Sequence, residues 1–383
     1  MQSSITASSR IIIATHELFY GASQALRDYL NSKNAKEVVF ISHPILPENP
    51  ESYKQVFKKG ALVKEKTLTR SSGNVFWYMI DAGLTFFWGA GERGVFDVYV
   101  GVDPLNCLVG LFLKVLGLVN KVVFYSIDFV PRRYTNRFLD AVYHGIETLC
   151  VRFADERWDV SPRISQGREK FLRVSGKTFP ARIVPIGVWE KDIVTKSSYN
   201  QNRFVFAGHL LRKQGVQKIL EAMPSVIRKV KTATLLIIGG GEDGERLKAI
   251  AHNLGISKHV TFTDWIKDQD EVRKLLTGCA FAVATYDPRG ADAGNFTYYA
   301  DPTKIKTYLS CGLPVIITDV SYNTRQLAQA GCAVVVAYDT KAIAHALVAW
   351  FLNEKMIEEA RENARMTARR YTWEKIFGSV IAS

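Results

Sequence analysis

The sequence is poor in cysteine and methionine, with five of each in 383 residues. The cysteines, Cys107, Cys150, Cys279, Cys311 and Cys332, are odd in number, widely spaced and never arranged as Cys-x-x-Cys. That pattern argues against a disulfide framework and a zinc module, and reads as reduced, buried thiols. Zinc spacings and aromatic RNP patterns are missing, so nucleic acid is not an expected partner. Long apolar runs are missing too. Residues 105–125 are broken by Lys114, Asn120 and Lys121, and residues 75–91 by Asp81. Neither reads as a bilayer-spanning helix. The apolar run Ile11–Ala14 is too short for the core of a signal peptide, so a cytoplasmic chain is expected, able to rest on the inner face of a membrane. Acidic residues are the scarcer charge, 37 against 50 basic, for a formal +13. That excess favours anionic partners: lipid surfaces or phosphorylated small molecules.

What remains is ample for a core. Hydrophobic residues are 47% and charged residues 23%, the balance of a globular protein. The length suits two α/β cores of about 190 residues each. Strand and helix signals alternate from the start: RIIIAT at 10–15, a helix over 21–31, then KEVVFIS at 36–42. Further strands are expected at 96–100, 121–126, 156–160 and 182–186, with helices at 104–117 and 133–152 between them. Residues 191–202 are polar and aperiodic, and read as a linker. The alternation then restarts with strands at 203–208, 233–239, 259–263, 280–285, 313–318 and 333–336. A long charged helix over about 340–370 follows. The expected fold class is therefore α/β, with two doubly wound, Rossmann-like parallel sheets facing a cleft. The domains are residues 1–190 and 203–365, with 366–383 a C-terminal segment packing back on the first. Ligands of such sheets sit beyond the carboxyl ends of the strands.

Three segments stand out on chemical grounds. Residues 239–244, GGGEDG, match Gly-x-Gly-x-x-Gly between a strand and a helix, with Asp264 twenty residues on. This is a dinucleotide fingerprint on paper, and equally a tight turn that lets backbone approach a nucleotide or a neighbouring loop. The second segment, DPTKIKTYLSCGLPVIITD at 301–319, reads as a helix with Asp301 as cap and Pro302 at its first position, ended by Gly312. Ile305, Tyr308 and Leu309 form its core face, while Lys304, Thr307 and Cys311 share another. Its amino end and Lys304 together make an anion site. The third segment, FVFAGHLLRKQGV at 204–216, places Gly208, His209, Arg212 and Lys213 after a strand, with cations aimed at the same region.

Together with LLIIGGGEDGERLKAIAHNLGISKHVTFTDWI, these blocks resemble glycosyltransferase family 4, of GT-B architecture, across residues 203–375. The N-terminal half is similar in outline, through YSIDFVP, DVSPR and VPIGV. The resemblance implies transfer of a sugar from a UDP- or GDP-linked donor to a hydroxyl of a glycan or lipid-linked acceptor. It implies retention of configuration and no cofactor or metal beyond the nucleotide sugar, in the manner of enzymes of cell-envelope polysaccharide synthesis. Carried over residue by residue, Gly208 to Gly215 line the diphosphate, Gly241 lies close by, and Trp265 and Ile266 flank the nucleobase. Asp301, Pro302, Thr303 and Lys304 meet the phosphates. Two family glutamates are replaced by Tyr299 and Thr307, the second at the ribose position, and a family arginine is replaced by His209.

On the acceptor side, Asp128 falls near a family histidine facing the reacting sugar, and reads equally as a turn cap before Pro131. Asp128 and Lys304 are the expected catalytic pair. His16, Tyr20 and Gly21 are expected to bind acceptor, with Glu17, Asp103, His144 and Arg163 as weaker candidates. The basic stretch 53–70 and the aromatic stretch 75–91 form either a membrane-resting surface or a solvated loop beside a core helix. Three other readings stay open: a silent nucleotide-sugar-binding protein, a sugar-nucleotide epimerase and an NAD-dependent enzyme.

Overall fold

The computed structural model describes residues 5–6, 8–17, 20–45, 51–69, 75–290 and 296–381. Arg70, at the end of the basic stretch singled out above, lies outside that set, as do the side chains of Glu17, Val75 and Phe76. The chain divides into two compact units, Met1–Ile186 with Trp373–Ser383, and Gly187–Thr372.

The first unit is built on β1 (Arg10–Glu17), β2 (Glu37–Pro44), β3 (Glu51–Lys58), β4 (Ala61–Thr69), β5 (Phe96–Gly101), β6 (Val119–Ser126), β7 (Glu156–Asp159) and β8 (Arg182–Ile183). Their order across the sheet is β4-β3-β2-β1-β5-β6-β7-β8. From β2 to β8 the pairing is parallel. Ile11 to Ala14 and Val38 to Ile41 are fully buried, as apolar runs covered on both faces must be.

Strands β3 and β4 correct the reading of residues 53–70 as a loop. They form an antiparallel hairpin on the β2 edge. Lys59 and Gly60 turn it with φ of 48° and 79°, the left-handed pair a two-residue hairpin needs. Strand β4 is exposed along its whole length and carries Lys64 and Lys66, charges that discourage edge-to-edge pairing. With no apolar alternation along β4, the sequence pattern carries no strand signal there.

The second unit holds β9 (Asn200–Ala207), β10 (Thr234–Ile238), β11 (Val260–Thr263), β12 (Cys279–Ala284), β13 (Val315–Thr318) and β14 (Ala333–Val336). All neighbours run parallel, in the order β11-β10-β9-β12-β13-β14. The order reverses between β9 and β12, so the ligand crevice of this sheet lies beyond their carboxyl ends. Helices Val216–Lys229, Gly244–Asn253 and Thr340–Phe351 pack one face; helices Gln269–Thr277, Thr303–Ser310 and Glu354–Ala368 pack the other. The long helix expected over 340–370 is two helices, interrupted at Leu352 and Asn353. Asn353 caps the second by accepting a hydrogen bond from the Met356 N–H at 3.0 Å. Helix Trp373–Val380 returns to the first unit, where Phe377 meets Tyr29 at a ring separation of 5.5 Å.

Candidate active site

The crevice of the second unit is assembled from the turn after β9 and the start of helix Thr303–Ser310. Tyr308 anchors the two: its hydroxyl accepts from the Ala207 N–H at 2.6 Å and donates to the Ala207 carbonyl at 3.1 Å. Gly208 follows at φ +138°, and a Cβ there would lie 2.8 Å from Lys304 Nζ. The missing side chain is what admits the amine. Lys304 Nζ donates to Gln214 Oε1 at 2.7 Å and sits 4.1 Å over the Phe206 ring. Among the described residues no carboxylate pairs with it. Burial alone pushes its ammonium down to about 7.

Asp301 does not cap this helix. Pro302 holds the cap position and, among the described residues, no side-chain cap bond is made at the helix start. The Asp301 carboxylate instead receives a bond on each oxygen from Lys306 Nζ, at 2.9 Å each, with both side chains fully buried. Asn323 adds a weak bond at 3.4 Å, and Lys306 lies 4.0 Å over the Tyr371 ring. The helix start thus keeps its positive end unopposed, beside the Lys304 amine. Ile305, Tyr308 and Leu309 are core as expected, but Cys311 is buried too and does not share an open face with Lys304.

The glycine-rich turn after β10 packs on the turn after β9. A Cβ at Gly239 would lie 2.3 Å from the Gly208 carbonyl, and one at Gly241 2.6 Å from the Leu210 carbonyl. Leu210 N–H donates to Gly240 and Asp243 N–H to Leu210. Loop-on-loop contact accounts for these glycines without a dinucleotide. Trp265 is 41% exposed and its ring stands 5.4 Å from His209; Ile266 lies beside it, half-buried. Thr307 spends its hydroxyl on the Thr303 carbonyl at 3.2 Å, and Tyr299 is buried. Asp268, Gln269 and Asp270 form an Asp-x-Asp triplet at a helix start, where Asp268 accepts from the Asp270 N–H at 2.9 Å and Asp270 faces Arg273 at 3.8 Å. Arg212 and Lys213 open onto a separate cavity described below.

In the first unit, His16 ends β1 beside two carboxylates. Its Nδ1 is 2.9 Å from Asp103 Oδ2 and its Nε2 3.2 Å from Asp81 Oδ2. Its backbone N–H also donates to Asp103. Burial on its own lowers the imidazole, but Asp103 and then Asp81 reverse this and hold it up at about 9. Burial likewise raises Asp103, and His16 with two bonds from Asn106 brings it down to about 2. The His16 ring is therefore an imidazolium, 7% exposed, with both nitrogens committed. His43 continues the network through Ser52 at 2.9 Å and Thr85 at 2.7 Å. Sequence reasoning found His16 and Asp103 but missed Asp81, His43 and Asn106. Asp81 is visible as the charge that breaks an apolar helix.

Asp128 lies after β6 and is ion-paired with Arg133 at 2.6 Å, leaving the carboxylate partly open. Tyr20 is exposed and donates to Asp28 at 2.9 Å; Gly21 caps helix Ala22–Ser32 and donates its N–H to Gln24. His144 is buried on Glu147 at 3.3 Å. Arg163 opens the short helix Pro162–Gly167, while the buried guanidinium is that of Arg168, held by Glu147 at 2.9 Å, Asp159 at 2.8 Å and Ser126.

Residues 188–367 match the family model described as glycosyl transferases group 1. A GDP-mannose-dependent alpha-(1-6)-phosphatidylinositol monomannoside mannosyltransferase of Mycobacterium tuberculosis (strain CDC 1551 / Oshkosh) is 41% identical over 59 residues, 15% of each chain. The lipopolysaccharide glucosyltransferase WaaG of Escherichia coli (strain K12) is 24% identical over 173 residues, 45% of this chain and 40% of that one. The matched stretches thus span less than half the length of either relative. In fold, sucrose-phosphate synthase from Thermosynechococcus elongatus superposes with TM-score 0.72 at 16% identity, covering 96% of both chains. The WaaG structure does so with TM-score 0.67 at 13% identity, covering 97% of this chain and 98% of that one. Motif blocks, sheet order and family model agree over the second unit: the match to the group 1 glycosyl transferases covers residues 188–367, just under half of the chain, and the likeness in fold covers nearly all of it.

Proposed function

We propose that this protein transfers a hexosyl group from a UDP- or GDP-linked sugar to a hydroxyl of a glycan or lipid-linked acceptor, with retention and without a metal. The observation that carries the reading is Lys304: a cation drawn out of water at the switch point of a doubly wound sheet, beside an uncapped helix start, with no carboxylate to match it. A diphosphate is the group that fits. As the bond from sugar to diphosphate breaks, negative charge grows on the leaving group, and a fixed ammonium and N–H groups stabilise it best where water is scarce. Thr303 and Lys304 supply those N–H groups, Gly208 gives the backbone its close approach, and Trp265, Ile266 and His209 flank the nucleobase. Asp128, ion-paired with Arg133, orients the acceptor hydroxyl. His16 has no free nitrogen to offer and acts by fixing the β1 end from which Tyr20 and Gly21 follow. The names of the matched mannosyl- and glucosyltransferases support a hexose donor and a lipid-linked acceptor.

Exposed apolar side chains on three helices of the first unit support an anionic membrane as the place where that acceptor is met. They are Met79 and Phe87 on Val75–Ala90, Phe112 and Val115 on Pro104–Val115, and Phe138 and Phe153 on Arg137–Phe153. Among the described residues no helix is long and apolar enough to cross a bilayer. Flotation with anionic vesicles is the check; a chain left at the bottom of the gradient removes this part of the reading.

A second reading, a silent nucleotide-sugar-binding protein, is favoured by buried Tyr299 and by Thr307 turned to its own helix. One experiment separates the two. A thermal-shift screen over UDP and GDP sugars and NAD is followed by product analysis on any hit. Transfer or slow hydrolysis of a nucleotide sugar is expected. Binding without turnover, with any acceptor offered, selects the silent reading, and stabilisation by NAD alone overturns both.

A further inference from the structure

The second unit has a cavity of about 460 Å³ whose lining includes Arg212, Lys213, Arg246 and Arg289, with Asp287 and Gln217 between them. Neither Lys304 nor Gly208 lines it. It lies toward helices Val216–Lys229 and Gly244–Asn253, which pack the sheet face opposite to helix Thr303–Ser310. Four cations against one lining carboxylate is more than surface composition requires, since like charges held together repel.

The cations are not consumed by their neighbours. Arg246 binds Asp243 through Nε at 2.5 Å and one Nη at 2.7 Å, and Arg289 binds Asp287 through Nε and one Nη. A guanidinium has five N–H donors, so Arg246 keeps its second amino group for a ligand, and Arg289, which also hydrogen-bonds Tyr338, keeps N–H donors beyond those spent on Asp287 and Tyr338. Arg212 approaches a carboxylate only at 4.0 Å, on Asp243, and is 79% exposed at its side chain. Lys213 has a ring beneath it, Phe296 at 3.7 Å, and burial lowers its pKa despite Glu242 nearby. Gln217 donates to Tyr338 and the Arg212 carbonyl and leaves its own Oε1 without a donor. The helix behind it starts at Gly215 with no side-chain cap. Forked guanidinium donors around a small volume are the pattern that recognises phosphate oxygens.

We infer that this cavity is a second phosphate site of the C-terminal unit, taking a phosphate or diphosphate group on a molecule other than the donor nucleotide. It rests in part on the reading of Lys304 as the donor's own grip. Arg212 and Lys213, on the turn after β9, then stand between the two anion sites, and Arg246 and Arg289 belong to the second alone.

Titration calorimetry with inorganic pyrophosphate tests this on the full chain, with and without saturating UDP or GDP. One equivalent of pyrophosphate is expected to bind even when nucleotide is saturating. The double variant Arg246→Gln, Arg289→Gln weakens that binding at least tenfold and leaves nucleotide affinity within twofold. Asp287→Asn, which frees Arg289, strengthens pyrophosphate binding severalfold, a gain that misfolding cannot produce. Complete displacement of pyrophosphate by nucleotide overturns the inference, because the cavity is then part of the donor site. So does wild-type pyrophosphate binding in the double variant. If no nucleotide binds, the donor reading fails on its own, while pyrophosphate binding and its loss in the double variant still decide the cavity.

Discussion

The two units each draw a basic side chain out of water at the carboxyl edge of a parallel sheet, His16 buried and Lys304 half-buried, and they treat it in opposite ways. In the first unit His16 lies between Asp103 and Asp81, and its charge is more than matched. In the second, Lys304 has an amide oxygen and two aromatic rings around it. A matched buried charge holds structure together; an unmatched one is held at a cost to stability and is available to a ligand. The pKa directions say the same: His16 is raised, Lys304 lowered.

The contrast breaks most sharply at His16. His16→Leu leaves two carboxylates facing each other in the interior and is expected to cost the first unit about 3–5 kcal/mol, read by urea unfolding. The native contribution also has a pH signature. The folded pKa of about 9 exceeds the unfolded 6.5, so the stabilisation is complete below pH 6.5 and disappears as pH rises through 9. Asp103, held at about 2, adds stability that is present above 3.8 and lost as pH falls through 2. His16→Gln should flatten the alkaline limb and shrink the acid limb as well, because the His16 charge is the first cause of the low Asp103 value; an unchanged alkaline limb would place the titration elsewhere.

Next in size is Lys304→Ala, expected to lower turnover about a hundredfold or more, the scale of losing one preorganised donor to a developing charge. Initial-rate kinetics on a donor found by the screen decide it, and unchanged turnover sinks the phosphate role. Smaller again is the pH dependence of nucleotide binding. A bound diphosphate raises the Lys304 pKa from about 7, so UDP or GDP affinity should fall by up to about tenfold per pH unit above pH 7. Calorimetry at several pH values should show this slope in the native chain and none in Lys304→Met. The smallest effect has the opposite sign to that of His16. Lys304→Met removes a desolvated, unmatched cation and should stabilise the free protein by about 1 kcal/mol, roughly 2–4 °C in melting temperature. A marked loss of stability in this variant would mean that the amine is structural after all.

Much of this was legible in the chain. Uninterrupted apolar strands such as RIIIAT and AFAVAT, separated by amphipathic helices, can only be parallel strands covered on both faces, and they were read close to their bounds. The hairpin Glu51–Thr69 was not legible, because an exposed edge strand needs no apolar face. The site divides the same way. Gly208, Lys304 and the helix start are local signals: a turn glycine, a first-turn cation, free N–H groups. Asp301 was misread as a cap for the same reason, since nothing local reveals a lysine five residues on that reaches it in a dry interior. Asp81 joins His16 across sixty-five residues, and Gln214 meets Lys304 across ninety.

By itself, then, the sequence determined the buried strands and most of the helices, the alternating order that makes both sheets doubly wound, and the positively charged helix start that marks the second. Periodicity and backbone chemistry act within a few residues and need no partner. Which charges are matched was decided only by the tertiary structure. Whether a lysine is a structural ion pair, like Lys306, or an unmatched cation, like Lys304 two residues earlier, depends on what the rest of the chain packs against it.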